Sequence, residues 1–298
     1  MPGFKWTRKE LRYLSENAGK KSVREIAEQL GRTNNAVRFK IQDIGDTVQI
    51  PASDYKIYDE PLIMQGDALV IPDLEAPFHH AEFIQKIVRL SNAWGVRNLI
   101  LAGDIIHLAS LSAWGANWIA AKGEKRSDYS EEVYSAQQVM QALTCAFDEI
   151  HYVIGNHDDR YLRRMSVAME AAELLTLLKV DRDKWKIAPY YYSFLESAGE
   201  TYRIEHPKVS GMNAARTLAA KFHAHILMGH SHRWAVEWDI SGNFWAIQMG
   251  HCVDERRLMY AAQRSTGAPM HKLGAVIVRD GYPYVLGEES QFDRFANL

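Results

Sequence analysis

Five stretches of this 298-residue chain carry side chains able to ligate a cation or move a proton: Asp73-Leu74-Glu75, Asp104, Asn156-His157-Asp158, His206 and His230-Ser231-His232. Four of them follow apolar runs. Residues 68–72 lead into Asp73, 99–103 into Asp104, 152–155 into Asn156, and 225–229 into His230. A loop that only has to turn needs little more than Gly and Asn, whose backbones tolerate the left-handed region. Carboxylates, imidazoles and an amide oxygen at four strand ends exceed that need and describe a polar site. Mixed nitrogen and oxygen donors suit manganese, iron or zinc better than calcium.

The elements that must position these groups alternate. Short apolar runs read as buried parallel strands, and residues 81–94, 130–147, 160–180 and 212–222 carry apolar stripes at helical spacing. Strand-helix-strand repetition implies parallel pairing with right-handed crossovers. The C-terminal part reads instead as two hairpins, 234–249 and 274–286, turning at Ser241-Gly242-Asn243 and Asp280-Gly281.

Asp73-Leu74-Glu75, Gly103-Asp104, Gly155-Asn156-His157-Asp158, His206 and Gly229-His230-Ser231-His232 resemble, in order and spacing, the motifs of calcineurin-like metallophosphoesterases. The resemblance spans about residues 66–290. It implies a four-layer α/β/β/α sandwich and two divalent metal ions, manganese preferred, with iron, zinc or magnesium possible. Asp73, Asp104 and His232 would hold one ion and Asp104, Asn156, His206 and His230 the other, with Asp104 bridging. Such a pair sits about 3.5–4 Å apart and activates a water as the attacking hydroxide. His157 would stabilise the phosphoryl charge or protonate the leaving oxygen, with Asp158 orienting its ring. Arg160 is a candidate phosphate clamp or a surface ion pair.

Two positions depart from the resembled pattern. Glu75 stands where the first motif has His, and His107 stands where an Asp follows the bridging carboxylate by three. Glu75 as a ligand adds a hard oxygen, favouring manganese, iron or magnesium over zinc. Otherwise the first site is weak and fills with substrate. His107 reads as a group behind the ligands or a packed core residue. His79, His80 and His251 lie near the motifs, while His151, His223 and His225 sit in or beside apolar runs. His271 gives no signal.

The composition, 47% hydrophobic and 24% charged, is that of a globular protein with ample core. Two cysteines exclude a disulfide framework, and no apolar run has the length of a membrane span or a secretory signal, so a cytoplasmic protein is expected. Charge is uneven. Residues 1–46 hold ten Lys or Arg against six acids, which gives +4, and the overall −2 leaves −6 for the remainder.

That basic head reads as a small three-helix domain. Thr7 with Glu10, and Ser22 with Glu25, fit capping boxes, and Gly31 followed by Thr33 ends one helix and starts the next. Ala36, Val37, Phe39 and Ile41 are expected to pack that third helix. Residues 22–45 resemble a helix-turn-helix that would present Arg32, Asn34, Asn35, Arg38 and Lys40 to DNA. The competing readings are a protein-binding bundle and a solvated basic face. Residues 47–65 read as a linker and 66–298 as the catalytic domain. An insertion with Trp114, Asn117, Trp118, Lys122, Lys125 and Arg126 mixes aromatics and cations, fit to stack bases or to pack into the core.

The expected function is a phosphodiesterase or nuclease acting on DNA or a nucleotide. The alternatives are a phosphomonoesterase or protein phosphatase, or a DNA-binding regulator with a catalytically weak metal domain.

Overall fold

The computed structural model describes residues 5–45, 59–111, 128–165, 170–258, 271–288, 290 and 292. The chain divides into two compact units, Met1–Asp59 and Glu60–Leu298. The insertion carrying Trp114, Asn117, Trp118, Lys122, Lys125 and Arg126 lies outside the described residues, as does most of the expected linker.

In the first unit α1 (Arg8–Asn17), α2 (Val23–Leu30) and α3 (Asn34–Gly45) follow one another with short turns. Both capping boxes form: Thr7 with Glu10 and Ser22 with Glu25 satisfy each other's backbone donors. Leu14, Ile26, Ala27 and Val37 make the small core. On α3 the inward stripe is Val37, Ile41 and Ile44, so Phe39, two residues from Val37, faces the opposite way. It is 72% exposed, contrary to its expected packing role.

The second unit is built on two six-stranded sheets. Its strands are β1 (Ile63–Gln65), β2 (Ala68–Ile71), β3 (Asn98–Ala102), β4 (Glu149–Val153), β5 (Trp185–Ile187), β6 (Tyr192–Ser197), β7 (Glu200–Glu205), β8 (His225–Met228), β9 (Trp234–Trp238), β10 (Trp245–Met249), β11 (Gly274–Arg279) and β12 (Tyr282–Gly287). Its helices are α4 (Ala81–Ala93), α5 (Tyr129–Ala146), α6 (Asn156–Met165), α7 (Glu173–Leu178) and α8 (Ala214–Phe222). One sheet runs β12-β11-β2-β3-β4-β5, the other β1-β6-β7-β8-β10-β9.

Strand period two explains the layers. In β2 and β3, Leu69, Ile71, Leu99 and Leu101 face a core shared with α4, α5 and α7. Val70 and Ile100 face the other way, onto Leu195, Ile204, Leu227 and Ile247 of the second sheet. On that sheet's far side Ile226, Met228 and Ala246 pack under Ala215, Leu218 and Ala219 of α8. Helices, sheet, sheet and helix thus make the four-layer α/β/β/α sandwich. Strands buried on both faces show as unbroken apolar runs, which is why they were legible.

Three details differ from the sequence reading. Ile63–Gln65, placed in the linker, is an edge strand parallel to Phe194–Glu196; three residues are too few to show a period. The segment expected to be helical from 160 to 180 contains α6 and α7 instead, and α6 begins at Asn156, so the Asn-His-Asp stretch is the first turn of a helix rather than a loop. Helix α5 starts at Tyr129, one residue before the stripe expected from 130, and is capped by Asp128 through a capping box with Glu131.

Candidate metal centre

Parallel pairing brings the strand ends to one edge. In the first sheet β2, β3 and β4 run parallel with Ile71 opposite Leu101 and Leu101 opposite Tyr152. In the second, β7, β8 and β10 do the same, Glu205 opposite Met228 and Met228 opposite Gln248. Asp73 and Asp104 each lie two residues beyond a strand end, as does His230, and His206 follows β7 directly. Side chains up to 159 positions apart in sequence therefore meet at the carboxyl edges of two facing sheets, the usual position of α/β sites.

The donor atoms cluster. Asp73, Glu75 and His232 place ligand atoms within 4.8 Å of one another, and so do Asp104, His206 and His230. Asn156 Oδ1 lies 3.1 Å from His206 Nε2, which is itself 3.2 Å from Asp104 Oδ2. The seven residues proposed as ligands from the sequence are thus brought to one place. His206 Nδ1 faces the Ala102 carbonyl at 2.9 Å, which leaves Nε2 turned toward Asp104.

The backbone is shaped around these groups. Asp73, Glu75, Asp104, His230 and His232 all have φ between 41° and 74°, a region that costs a non-glycine residue about 1–3 kcal/mol. Glycine is required where chains approach: a Cβ on Gly155 would meet Asp104 Oδ1 at 2.1 Å, and one on Gly229 would meet Asp73 Oδ2 at 2.6 Å. His157 N–H, at the start of α6, donates to Asp104 Oδ1 at 2.7 Å, so a helix N-terminus faces that carboxylate.

Asp73, Glu75 and Asp104 are at most 2% exposed. Burial alone would keep Glu75 and Asp104 protonated, yet Glu75 is held well below the usual carboxylate range by His157 and His107, and Asp104 by His157 and His206. Burial would likewise depress His206, but Asp104 and its contact push it up to about 10. His232 moves the same way against Asp73, Glu255 and Glu75. A buried carboxylate cluster neutralised by imidazolium protons is a set of groups that divalent cations fit, since metal displaces those protons and takes over the charge.

The two departures from the resembled pattern are each other's partners. His107 Nδ1 pairs with Glu75 Oε2, and both are buried. A carboxylate at one position and an imidazole at the other therefore retain one acid and one base, exchanged between the two. The other oxygen of Glu75, Oε1, lies 3.1 Å from His232 Nε2.

The catalytic candidates are placed less as expected. His157 sits over the cage, its Nε2 3.7 Å from Asp104 Oδ2. The carboxylate facing its Nδ1 is Glu75, at 3.8 Å, not Asp158. Asp158 is fully buried and accepts from the backbone N–H groups of Gly155, Ile105 and Ile106 at 2.9, 3.0 and 3.3 Å, which ties α6 to the Asp104 loop. Arg160 donates to the His107 carbonyl at 3.2 Å, so its guanidinium braces the same loop. His80 caps α4, accepting from Phe83 N–H, while His151 faces Glu149 and His225 faces Glu200.

Three further groups adjoin the cage. His251, two residues beyond β10, and Glu255 approach His232, and His271 joins them. Glu255 was not foreseen. His251 and Glu255 also line a cleft of about 610 Å³ with His80, Trp234, Arg256 and Lys272.

In the first unit Arg32 is held at home. Its guanidinium pairs with Glu10 at 2.9 Å and lies over Trp6, so the head's own packing engages a side chain expected to read DNA. Lys40 pairs with Asp43. Asn34, Asn35 and Arg38 are exposed on α3.

No family model matches the chain, and no curated protein matches its sequence. Among solved structures it is similar to vacuolar protein sorting 29 from Cryptosporidium parvum, at 13% identity over 75% of this chain and 96% of that one, TM-score 0.39. It is similar also to Yfce, a phosphoesterase from E. coli, at 12% identity over 72% and 88%, TM-score 0.40. Likeness at this depth carries no functional argument, which rests on the cage. Among the described residues no helix is long and apolar enough to cross a membrane.

Proposed function

We propose that this protein is a metal-dependent phosphoesterase that cleaves a phosphodiester, with DNA or a nucleotide as the substrate class. The supporting observation is the convergence of buried ligand atoms in two adjoining groups, Asp73-Glu75-His232 and Asp104-His206-His230. These, with Asn156, would hold two divalent ions. Ions so bound supply charge neutralisation for a phosphoryl group and acidify a water, the chemistry by which paired metals hydrolyse esters.

The chain's own residues do the rest. Burial lowers the proton affinity of His157, which keeps its ring neutral; seated over the cage, it is placed to donate an N–H hydrogen bond to a phosphoryl oxygen. Asp158 and Arg160 fix the loop after Asp104 through backbone contacts, holding His107 and Glu75 in register. Arg256 and Lys272 line the adjoining cleft beside Trp234 together with Asp254, Glu255 and Glu288, a mixed-charge rim with an aromatic face in which Asp254 holds Arg256. The involvement of Glu75 with His232 and Asp73 favours a working centre over a regulator with a silent one. With manganese, the purified protein is expected to cleave a simple phosphodiester faster than the matching monoester, and chelation is expected to stop it. Failure to hydrolyse either ester under those conditions would sink the proposal.

The head is proposed to bind DNA as a helix-turn-helix, α3 entering the major groove with Asn34, Asn35 and Arg38 while Arg32 holds α3 against α1. Arg38→Ala is expected to weaken duplex retention by ~1–3 kcal/mol and to shorten the salt dependence by roughly one phosphate contact. Binding with an unchanged salt slope would show that this face does not touch DNA.

A further inference from the structure

His232 looks two ways. Its Nε2 is 3.1 Å from Glu75 Oε1 and 3.6 Å from Asp73 Oδ1, inside the cage, while its Nδ1 is 3.6 Å from Glu255 Oε1, outside it. The same oxygen of Glu255 lies 3.5 Å from His251 Nε2 and 3.2 Å from His271 Nδ1. Three imidazoles therefore surround one carboxylate oxygen. His232 and His251 are 4.9 Å apart and His232 and His271 5.8 Å, ring centre to ring centre.

A third cation among His232, His251 and Glu255 is the first reading such a cluster suggests, and the tautomer of His251 argues against it. His251 Nδ1 accepts the Val253 backbone N–H at 3.1 Å, so the proton of the neutral ring resides on Nε2. A protonated Nε2 offers no lone pair to a metal. It lies 3.5 Å from Glu255 Oε1, buried and without a hydrogen-bond partner among the described residues. His251 thus flanks the carboxylate rather than sharing an ion with it.

We propose that Glu255 is a positioning residue for the metal centre: it holds the Nδ1 proton of His232 and so presents the Nε2 lone pair to the ion shared with Asp73 and Glu75. A carboxylate behind a ligating histidine fixes the ring's tautomer and rotation and makes the nitrogen a better donor. His271 holds Glu255 through Nδ1 at 3.2 Å, and Glu255 belongs to the short turn Glu255–Arg257 on the rim of the cleft. What fills the cleft is therefore coupled to the ligand geometry of the cage through one side chain.

This inference rests on the reading that the cage binds divalent metal, and the test separates the two. Manganese affinity of the full chain is measured by titration calorimetry for wild type, Glu255→Gln and Asp104→Asn, with thermal melts of the metal-free proteins as the check on folding. Glu255→Gln is expected to bind about 10–100-fold more weakly, the usual loss when such a supporting group is removed, with its metal-free melt still a single cooperative transition. Binding within twofold of wild type would overturn the role of Glu255 and leave the metal reading intact. No binding by wild type would overturn both. A second readout needs no variant: in zinc-loaded, nitrogen-15-labelled wild type, the His232 ring is expected to carry its proton on Nδ1 and its metal on Nε2. Coordination through Nδ1 would exclude the proposed contact.

Discussion

Asp104→Asn is expected to lower manganese-dependent ester cleavage by roughly 10³-fold, a barrier increase of ~4 kcal/mol. The substitution is chosen because asparagine retains an oxygen for the His157 N–H, which Asp104 Oδ1 accepts at 2.7 Å, so the start of α6 keeps its partner. What it removes is the negative charge of the group it forms with His206 and His230, next to His206 Nε2 at 3.2 Å. Steady-state rates and metal content by elemental analysis, measured on the same preparations, check the expectation. A variant that keeps both its rate and two ions per chain would show that Asp104 does not bridge. A variant that folds and keeps its ions but loses turnover would place its charge in the chemistry rather than in retention.

Much of this architecture was legible because strands buried on both faces write themselves as continuous apolar runs, and parallel pairing forces their ends to one edge. Once Ala68–Ile71, Asn98–Ala102, Glu149–Val153 and His225–Met228 read as strands, the polar residues after them had to meet. The same signal occurs once more. Met249-Gly250-His251 repeats Met228-Gly229-His230, an apolar strand, a glycine and a histidine, and it marks the strand end that brings His251 and then Glu255 to the cage.

Other features lay beyond sequence patterning. Glu255 has no motif; it matters because a turn after β10 folds back onto His232, a long-range fact. The left-handed backbone at Asp73, Glu75, Asp104, His230 and His232 runs against residue preference and is held by the surrounding packing. Asp158 follows His157 in sequence, which invites pairing the two. The helix starting at Asn156 turns their side chains apart and delivers Asp158 to backbone amides and Glu75 to the His157 ring. In the head, the charge of Arg32 is plain in the sequence, but its neighbours Glu10 and Trp6 come from α1 and the segment before it, which only the fold brings together.

The charge balance of the cage leads to the second large effect, a steep dependence of metal affinity on pH. Burial would lower the proton affinity of His206, but Asp104 raises it to about 10, and His232 is raised by Asp73, Glu255 and Glu75 despite its own burial. For a histidine whose folded value lies above its ordinary ~6.5, the stabilisation is fully present below that pH and fades as pH climbs toward the folded value. Between about 6.5 and 10 the metal-free protein therefore holds on His206 a proton that its unfolded chain would release, and His232 acts in the same sense. Ligation needs both nitrogens bare, so each ion must displace one of these protons. Affinity should rise ~10-fold per pH unit for every proton released, and ~100-fold where both sites load together. Manganese titrations at pH 7 and pH 8, in buffers of different ionisation enthalpy, report affinity and proton count at once. Equal affinity at both pH values with no proton release would mean that His206 and His232 are already neutral, and that the buried carboxylates are balanced by some other charge.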